Sequence, residues 1–116
     1  MKFIVNKLEW SIKHVNEDKV LLNHEDETFL GLTDYIEQTI SIRKGMSEQL
    51  TRQTVIHELC HCFLFSFGIS TESYDEEQVC NFFGSHADTI LDLTDKFMKK
   101  GVKGNAVRSG NPAIHK

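Results

Sequence analysis

The chain has 116 residues, 40% of them hydrophobic and 26% charged, which suits one domain with one modest core and leaves no room for a separate recognition domain. Its formal charge is −4; residues 101–116 hold Lys103, Arg108 and Lys116 without an acid, so the remaining 100 residues carry −7. A body that acidic excludes a basic groove for nucleic acid, and no apolar run approaches the ~20 residues that cross a bilayer.

The opening Met1-Lys2-Phe3-Ile4-Val5-Asn6 breaks at Lys7 and Glu9, too early for a signal-peptide core, so a cytoplasmic site of action is expected. Trp10, Ile12 and His14 alternate with Ser11, Lys13 and Val15, the period of a half-buried strand. Asn16-Glu17-Asp18 then offers a turn before the apolar Val20-Leu21-Leu22. A polar stretch from Asn23 to Glu27 precedes Phe29-Leu30-Gly31-Leu32, and Thr39-Ile40-Ser41-Ile42-Arg43 alternates with both isoleucines on one face. Segments so close in sequence predict a small antiparallel sheet of three to four strands.

The second half changes period. Gly45 breaks the strand, Ser47 is a candidate N-cap, and Glu48 suits the positive end of a helix dipole. Nothing interrupts a helix from there to Phe67, and Gly68 supplies a stop. Val55, Ile56, Leu59, Cys60, Phe63, Leu64 and Phe67 make this helix apolar nearly all round, which predicts that it is largely buried. After a loop over Ile69–Tyr74, a second helix is predicted from about Asp75 to Lys99-Lys100, with Val79, Phe82, Phe83, His86, Ile90, Leu93 and Phe97 at helical steps. Residues 101–116 read as a disordered basic tail, so the domain is residues 1–100 and the class is α+β. Cys60, Cys62 and Cys80 are an odd set, read as free thiols in a reducing compartment. They are expected to act as small hydrophobes inside apolar helices rather than as a Cys-rich metal site.

His57-Glu58-Leu59-Cys60-His61, an H-E-x-x-H pattern, carries the chemistry. Residues four apart on a helix share a face, so two imidazoles can grip one metal ion with the intervening Glu beside a metal-bound water. A catalytic zinc takes three protein ligands and keeps one open place, so a third donor is needed. Glu76 and Glu77 lie in the first turn of the second helix, and an antiparallel return over Ile69–Tyr74 is expected to bring that turn toward the histidines. Glu77 shares a face with Cys80 and Asn81, while Glu76 falls with Val79 and Phe83 on the core stripe. This favours Glu77 and leaves Glu76 as the alternative. His86, between Phe83 and Ile90, is a weaker third candidate, better read as a hydrogen-bonded core histidine.

These residues carry a resemblance. His57-Glu58-Leu59-Cys60-His61 followed by Glu77-Gln78-Val79-Cys80-Asn81-Phe82-Phe83 resembles the ImmA/IrrE-type metallopeptidases, whose second motif is similar to E-x-x-A-N-x-F-A. Cys80 stands where that pattern has Ala, and Gly84 follows Phe83. Gly31-Leu32-Thr33-Asp34 through Ile40-Ser41-Ile42 resembles the strands before the motif in small phage- and mobile-element-encoded relatives. The resemblance covers roughly residues 29–97 and implies a minimal zincin-like domain, its sheet packed on the H-E-x-x-H helix and a second long helix. It also implies one Zn²⁺ per chain held by His57, His61 and Glu77, and a protein substrate such as a regulatory protein. Better-characterised members are longer, with substrate-binding segments that this chain lacks.

On this reading Glu58 is the general base in hydrolysis of a peptide bond, with the peptide added to the edge of the sheet. Tyr74 and His86 are the candidate donors to the oxyanion, and Asn81, Asp34 and Asp88 the candidate partners that orient the metal ligands. Three rivals stand beside it. The histidines serve as ordinary polar residues of a buried helix, the chain is a zinc-stabilised binding or regulatory module without catalysis, or it is a metal hydrolase of a non-peptide substrate.

Overall fold

The structure, a computed structural model, describes residues 1–16, 30–70 and 72–101, with side chains to Lys99. Val20-Leu21-Leu22, the polar stretch at 23–27, Phe29 and the tail beyond residue 101 lie outside the described residues. Four strands, β1 (Lys2–Val5), β2 (Leu8–Val15), β3 (Gly31–Asp34) and β4 (Thr39–Arg43), precede two helices, α1 (Glu48–Ser66) and α2 (Glu76–Gly101). The α+β class holds, but the sheet is not antiparallel.

Its order is β1-β2-β4-β3, with β2 and β4 parallel and both outer pairs antiparallel. The two outer pairs are hairpins. Asn6 and Lys7, at φ 48° and 74°, form the two-residue turn between β1 and β2, a positive-φ geometry that matches strand twist. The second hairpin turns through residues 35–38, where Asp34 Oδ1 accepts from the backbone N–H of Ile36 and of Glu37, both at 3.0 Å. β4 then lies inside the sheet because Ile40 and Ile42 are fully buried, while all of β3 is half-buried and suits an edge. A chain leaving β2 has enough length before β4 to pair with it in parallel. Period-2 patterning specifies the buried face and says nothing of the neighbour. β1 is an element that the pattern did not single out.

The predicted helix limits hold closely. Ser47 Oγ accepts from the Leu50 N–H at 3.1 Å as the N-cap of α1. At the other end Gly68, at φ +69°, closes a Schellman-type stop in which the Ile69 N–H reaches the Leu64 carbonyl at 2.9 Å. α2 opens on a capping box: Asp75 Oδ1 accepts from the Gln78 N–H at 2.8 Å, and Gln78 Oε1 from the Asp75 N–H at 3.0 Å.

The core lies between the sheet and the helices. Trp10, Ile12, Ile40 and Ile42 meet Val55, Leu59, Cys62 and Phe63 of α1, with Ile90 and Phe97 of α2 completing it. Trp10 Nε1–H donates to Ser66 Oγ at 2.9 Å, so the one buried indole donor is satisfied. Burial of α1 is nevertheless one-sided. Phe65 is 42% exposed and Ile56 and Leu64 are half-buried, because among the described residues α1 leans on the sheet and α2 alone. No helix among the described residues is long and apolar enough to cross a membrane.

Candidate metal and hydrolytic site

Helix geometry decides how the H-E-x-x-H residues divide. His57 and His61 stand one turn apart on the outer face of α1, their rings 4.9 Å apart between centroids and 74° edge to face. Both are exposed, not set beside the core as the apolar helix suggested. Glu58 is turned ~100° from His57 and faces β3, where only 7% of it stays exposed.

A buried carboxylate needs partners, and β3 supplies one. Thr33 Oγ1 lies 2.6 Å from Glu58 Oε1 and 3.2 Å from the Glu58 carbonyl oxygen. Two residues earlier on the same strand face, Gly31 allows the close approach. A Cβ there would lie 2.8 Å from Thr54 Cγ2, 3.0 Å from Glu58 Cγ and 3.2 Å from Glu58 Oε2. Two residues later, the Tyr35 ring stacks flat on Phe65, 4.7 Å apart and 6° from parallel. Burial raises the Tyr35 phenol above its ordinary pKa, and the charges of Glu58 and Cys62 push it the same way. Gly31, Thr33 and Tyr35 thus form one row along α1, on the side of Glu58. Sequence reading named none of the three as site residues. The available signal was a glycine inside a strand, which marks a close backbone approach.

The strand edge beside this row is open among the described residues. The Arg43 N–H bonds the Leu30 carbonyl at 3.0 Å, so Leu30 and Arg43 form a hydrogen-bonded pair. In an antiparallel ladder the next pairs alternate, which turns the N–H and C=O of Gly31 and Thr33 away from β4 toward the free edge. A cleft of about 350 Å³ lies alongside, lined by Leu30, Gly31, Leu50, Gln53, Thr54, His57 and Glu58.

Glu77 is not part of this assembly. Phe67 packs on Phe82 and His86, Phe63 on His86, and Arg52 Nη1 bonds Asp95 Oδ1 at 2.7 Å, so the helices run antiparallel. In such a hairpin the residues nearest the loop face each other. Glu76 and Glu77 therefore lie past the end of α1, and His61 comes level with a point about eleven residues further along α2, ~16 Å at 1.5 Å per residue. Both glutamates are exposed. Among the described residues no three His, Cys, Asp or Glu side chains are grouped to hold a metal ion.

The other candidates separate in the same way. His86 sits in an aromatic cluster, its ring 4.5 Å from Phe67, 4.6 Å from Phe82 and 5.6 Å from Phe63, as a packing residue between the helices. Tyr74 is half-buried in the loop after α1, past its end. Asp34 is committed to the β3–β4 turn, and Asn81 and Asp88 are exposed on α2. The cysteines are free thiols; Cys62 is buried, with a pKa pushed up to about 12 by that burial, Cys60 is half-buried and also raised, and Cys80 is exposed.

A zinc ion fits this chemistry in two of its three protein donors: exposed imidazoles one helical turn apart, whose ring nitrogens have no hydrogen-bond partner among the described residues, and a carboxylate at their side. No family model matches the chain, and no curated protein or solved structure matches it either.

Proposed function

We propose that the chain is a metal-dependent peptidase whose site is built from α1 and the edge strand β3. The observation that carries this reading is the division of His57-Glu58-Leu59-Cys60-His61. Its two histidines are exposed as a pair, while its glutamate is buried, hydrogen-bonded and turned to a cleft beside a strand edge that is open among the described residues. A buried carboxylate on an apolar helix costs free energy that its hydrogen bonds only offset, and a purely structural role for these residues does not call for one.

His57 and His61 would hold Zn²⁺, which when bound supplies a Lewis acid that acidifies water and polarises a carbonyl. An extended peptide adds to β3 by hydrogen bonds to the outward N–H and C=O groups of Gly31 and Thr33. The cleft takes one of its side chains, and Leu30 and Leu50 on its rim favour an apolar one. Glu58 accepts a proton from the attacking water and passes it to the nitrogen of the departing amine, which leaves Glu58 ionised again. Glu77 enters as the third donor on the family resemblance alone, and to serve it the first turn of α2 has to come back along α1. Cytoplasmic action on a regulatory protein belongs to the same proposal.

The rival reading is a zinc-holding binding module without catalysis, in which Glu58 has no part in the activity. Metal analysis by mass spectrometry, with peptide cleavage measured in parallel, separates the two. The peptidase reading expects about one zinc per chain, lost in His61→Ala and kept in Glu58→Gln, with cleavage abolished in both. Zinc retention in Glu77→Gln removes Glu77 from the ligand set. A wild-type protein that holds zinc and shows a biological activity indifferent to Glu58→Gln is the binding module.

A further inference from the structure

We infer that Thr33 is a positioning residue for Glu58, its hydroxyl holding one carboxylate oxygen so that the other faces the cleft. The inference rests on the peptidase reading and adds a residue to it.

Thr33 has one hydroxyl proton and two acceptors within reach. The 2.6 Å contact to Glu58 Oε1 has the length of a bond to a charged oxygen, whereas the 3.2 Å contact to the Glu58 carbonyl is long. The proton is therefore given to the carboxylate. Oε2 is left on the opposite side, 3.2 Å from the place a Cβ on Gly31 would fill, and Gly31 and Glu58 both line the cleft. A side chain at position 31 would sit against that oxygen. One oxygen is thus occupied by the protein and the other is available to a water or a leaving amine.

Thr33 also stands where two directions meet. On a strand the side chain is perpendicular to the plane of the backbone hydrogen bonds. The Thr33 side chain reaches α1 while its N–H and C=O point to the free edge. The residue that pairs with an incoming peptide is therefore the one that holds the base, and the spacing between peptide and carboxylate is set within a single residue.

The test compares Thr33→Val, which keeps the shape and removes the hydroxyl, with Thr33→Ser, which keeps the hydroxyl. The probe is a zinc-supplemented mixture of fluorogenic peptides randomised on both sides of the scissile bond, followed by kcat and KM on one cleaved peptide isolated from it. The expected result is a kcat lowered about tenfold or more in Thr33→Val, the usual effect of losing a partner of a site residue. KM stays unchanged and most of kcat returns in Thr33→Ser. An unchanged kcat in Thr33→Val, or a Thr33→Ser variant as slow as Thr33→Val, overturns the role given to Thr33. If Thr33→Val does not fold, Thr33→Ala against Thr33→Ser isolates the hydroxyl with the same two outcomes. Cleavage by wild type that survives Glu58→Gln, or no cleavage of the mixture by wild type, overturns the peptidase reading and the role of Thr33 with it.

Discussion

Gly31→Ala is a one-carbon perturbation whose sign can be worked out from the structure. In the unfolded chain, alanine has less conformational freedom than glycine, which by itself stabilises the fold by about 0.4–1 kcal/mol where the backbone accepts it. In the fold, the new methyl would sit 2.8 Å from Thr54 Cγ2 and 3.0 Å from Glu58 Cγ. Neither neighbour can swing aside, since Thr54 is buried with its hydroxyl on the Leu50 carbonyl and Glu58 is held by Thr33. Overpacking of this kind costs about 1–3 kcal/mol. Taking about 2 kcal/mol for the clash and about 0.7 for the backbone gain, the clash wins by about 1.3 kcal/mol. For a domain of this size each kcal/mol moves Tm by about 4–8 °C. The melting temperature, followed by circular dichroism, is therefore expected to fall by about 5–10 °C. Because the shortest contact is with the Thr54 methyl, Gly31→Ala combined with Thr54→Ser should recover part of the loss, as coupled neighbours do. A Gly31→Ala protein that melts at or above wild type, or a double variant no better than the sum of its parts, refutes the close approach of β3 to α1.

Two further outcomes follow from groups away from the cleft. His14 is stacked on Phe97 at 4.7 Å and holds its pKa below the ordinary 6.5, first through burial and then through the charge of Lys44. The unfolded chain therefore takes up this proton first as pH falls, so the stability tied to the neutral ring is present above 6.5 and lost on acidification. Melting temperatures taken from about pH 8 down to about pH 5 should fall, and His14→Gln should flatten that slope; an unaltered slope contradicts the assignment. Alkylation of the native protein with iodoacetamide at about pH 8 should label the exposed Cys80 first and the buried Cys62 last. Peptide mapping reads the order, and early modification of Cys62 would show that α1 does not stay docked on the sheet.

Local signals in the chain account for much of what is observed. Ser47, Gly68 and the Asp75–Gln78 pair mark helix ends through hydrogen bonds made within a few residues, so the helix limits are readable from neighbours alone. The alternation around Ile12 and around Ile40 correctly marks the buried faces of β2 and β4. Strand pairing is different in kind. The parallel contact of β2 with β4 depends on which strand can be enclosed, and the low apolar content of Gly31-Leu32-Thr33-Asp34 shows this only once the sheet is assembled. The site divides along the same line. The spacing of His57 and His61 is a property of one helix and is legible. Burial of Glu58 depends on the side from which β3 approaches. Glu77 is close to His61 in sequence, but the register of a helical hairpin carries the first turn of α2 past the end of α1.

The strand order also has a consequence for how the molecule assembles. The β1–β2 and β3–β4 hairpins and the α1–α2 hairpin are local units, and hairpins close on the scale of about 1–10 μs. Joining them needs the parallel seam between β2 and β4 and the Trp10–Ser66 bond, which spans 56 residues of chain. Contacts of that separation are the slow ones. The Thr33–Glu58 bond spans only 25 residues and lies wholly within the β3–β4–α1 stretch. The Thr33–Glu58 contact thus lies outside both the parallel seam and the Trp10–Ser66 joint.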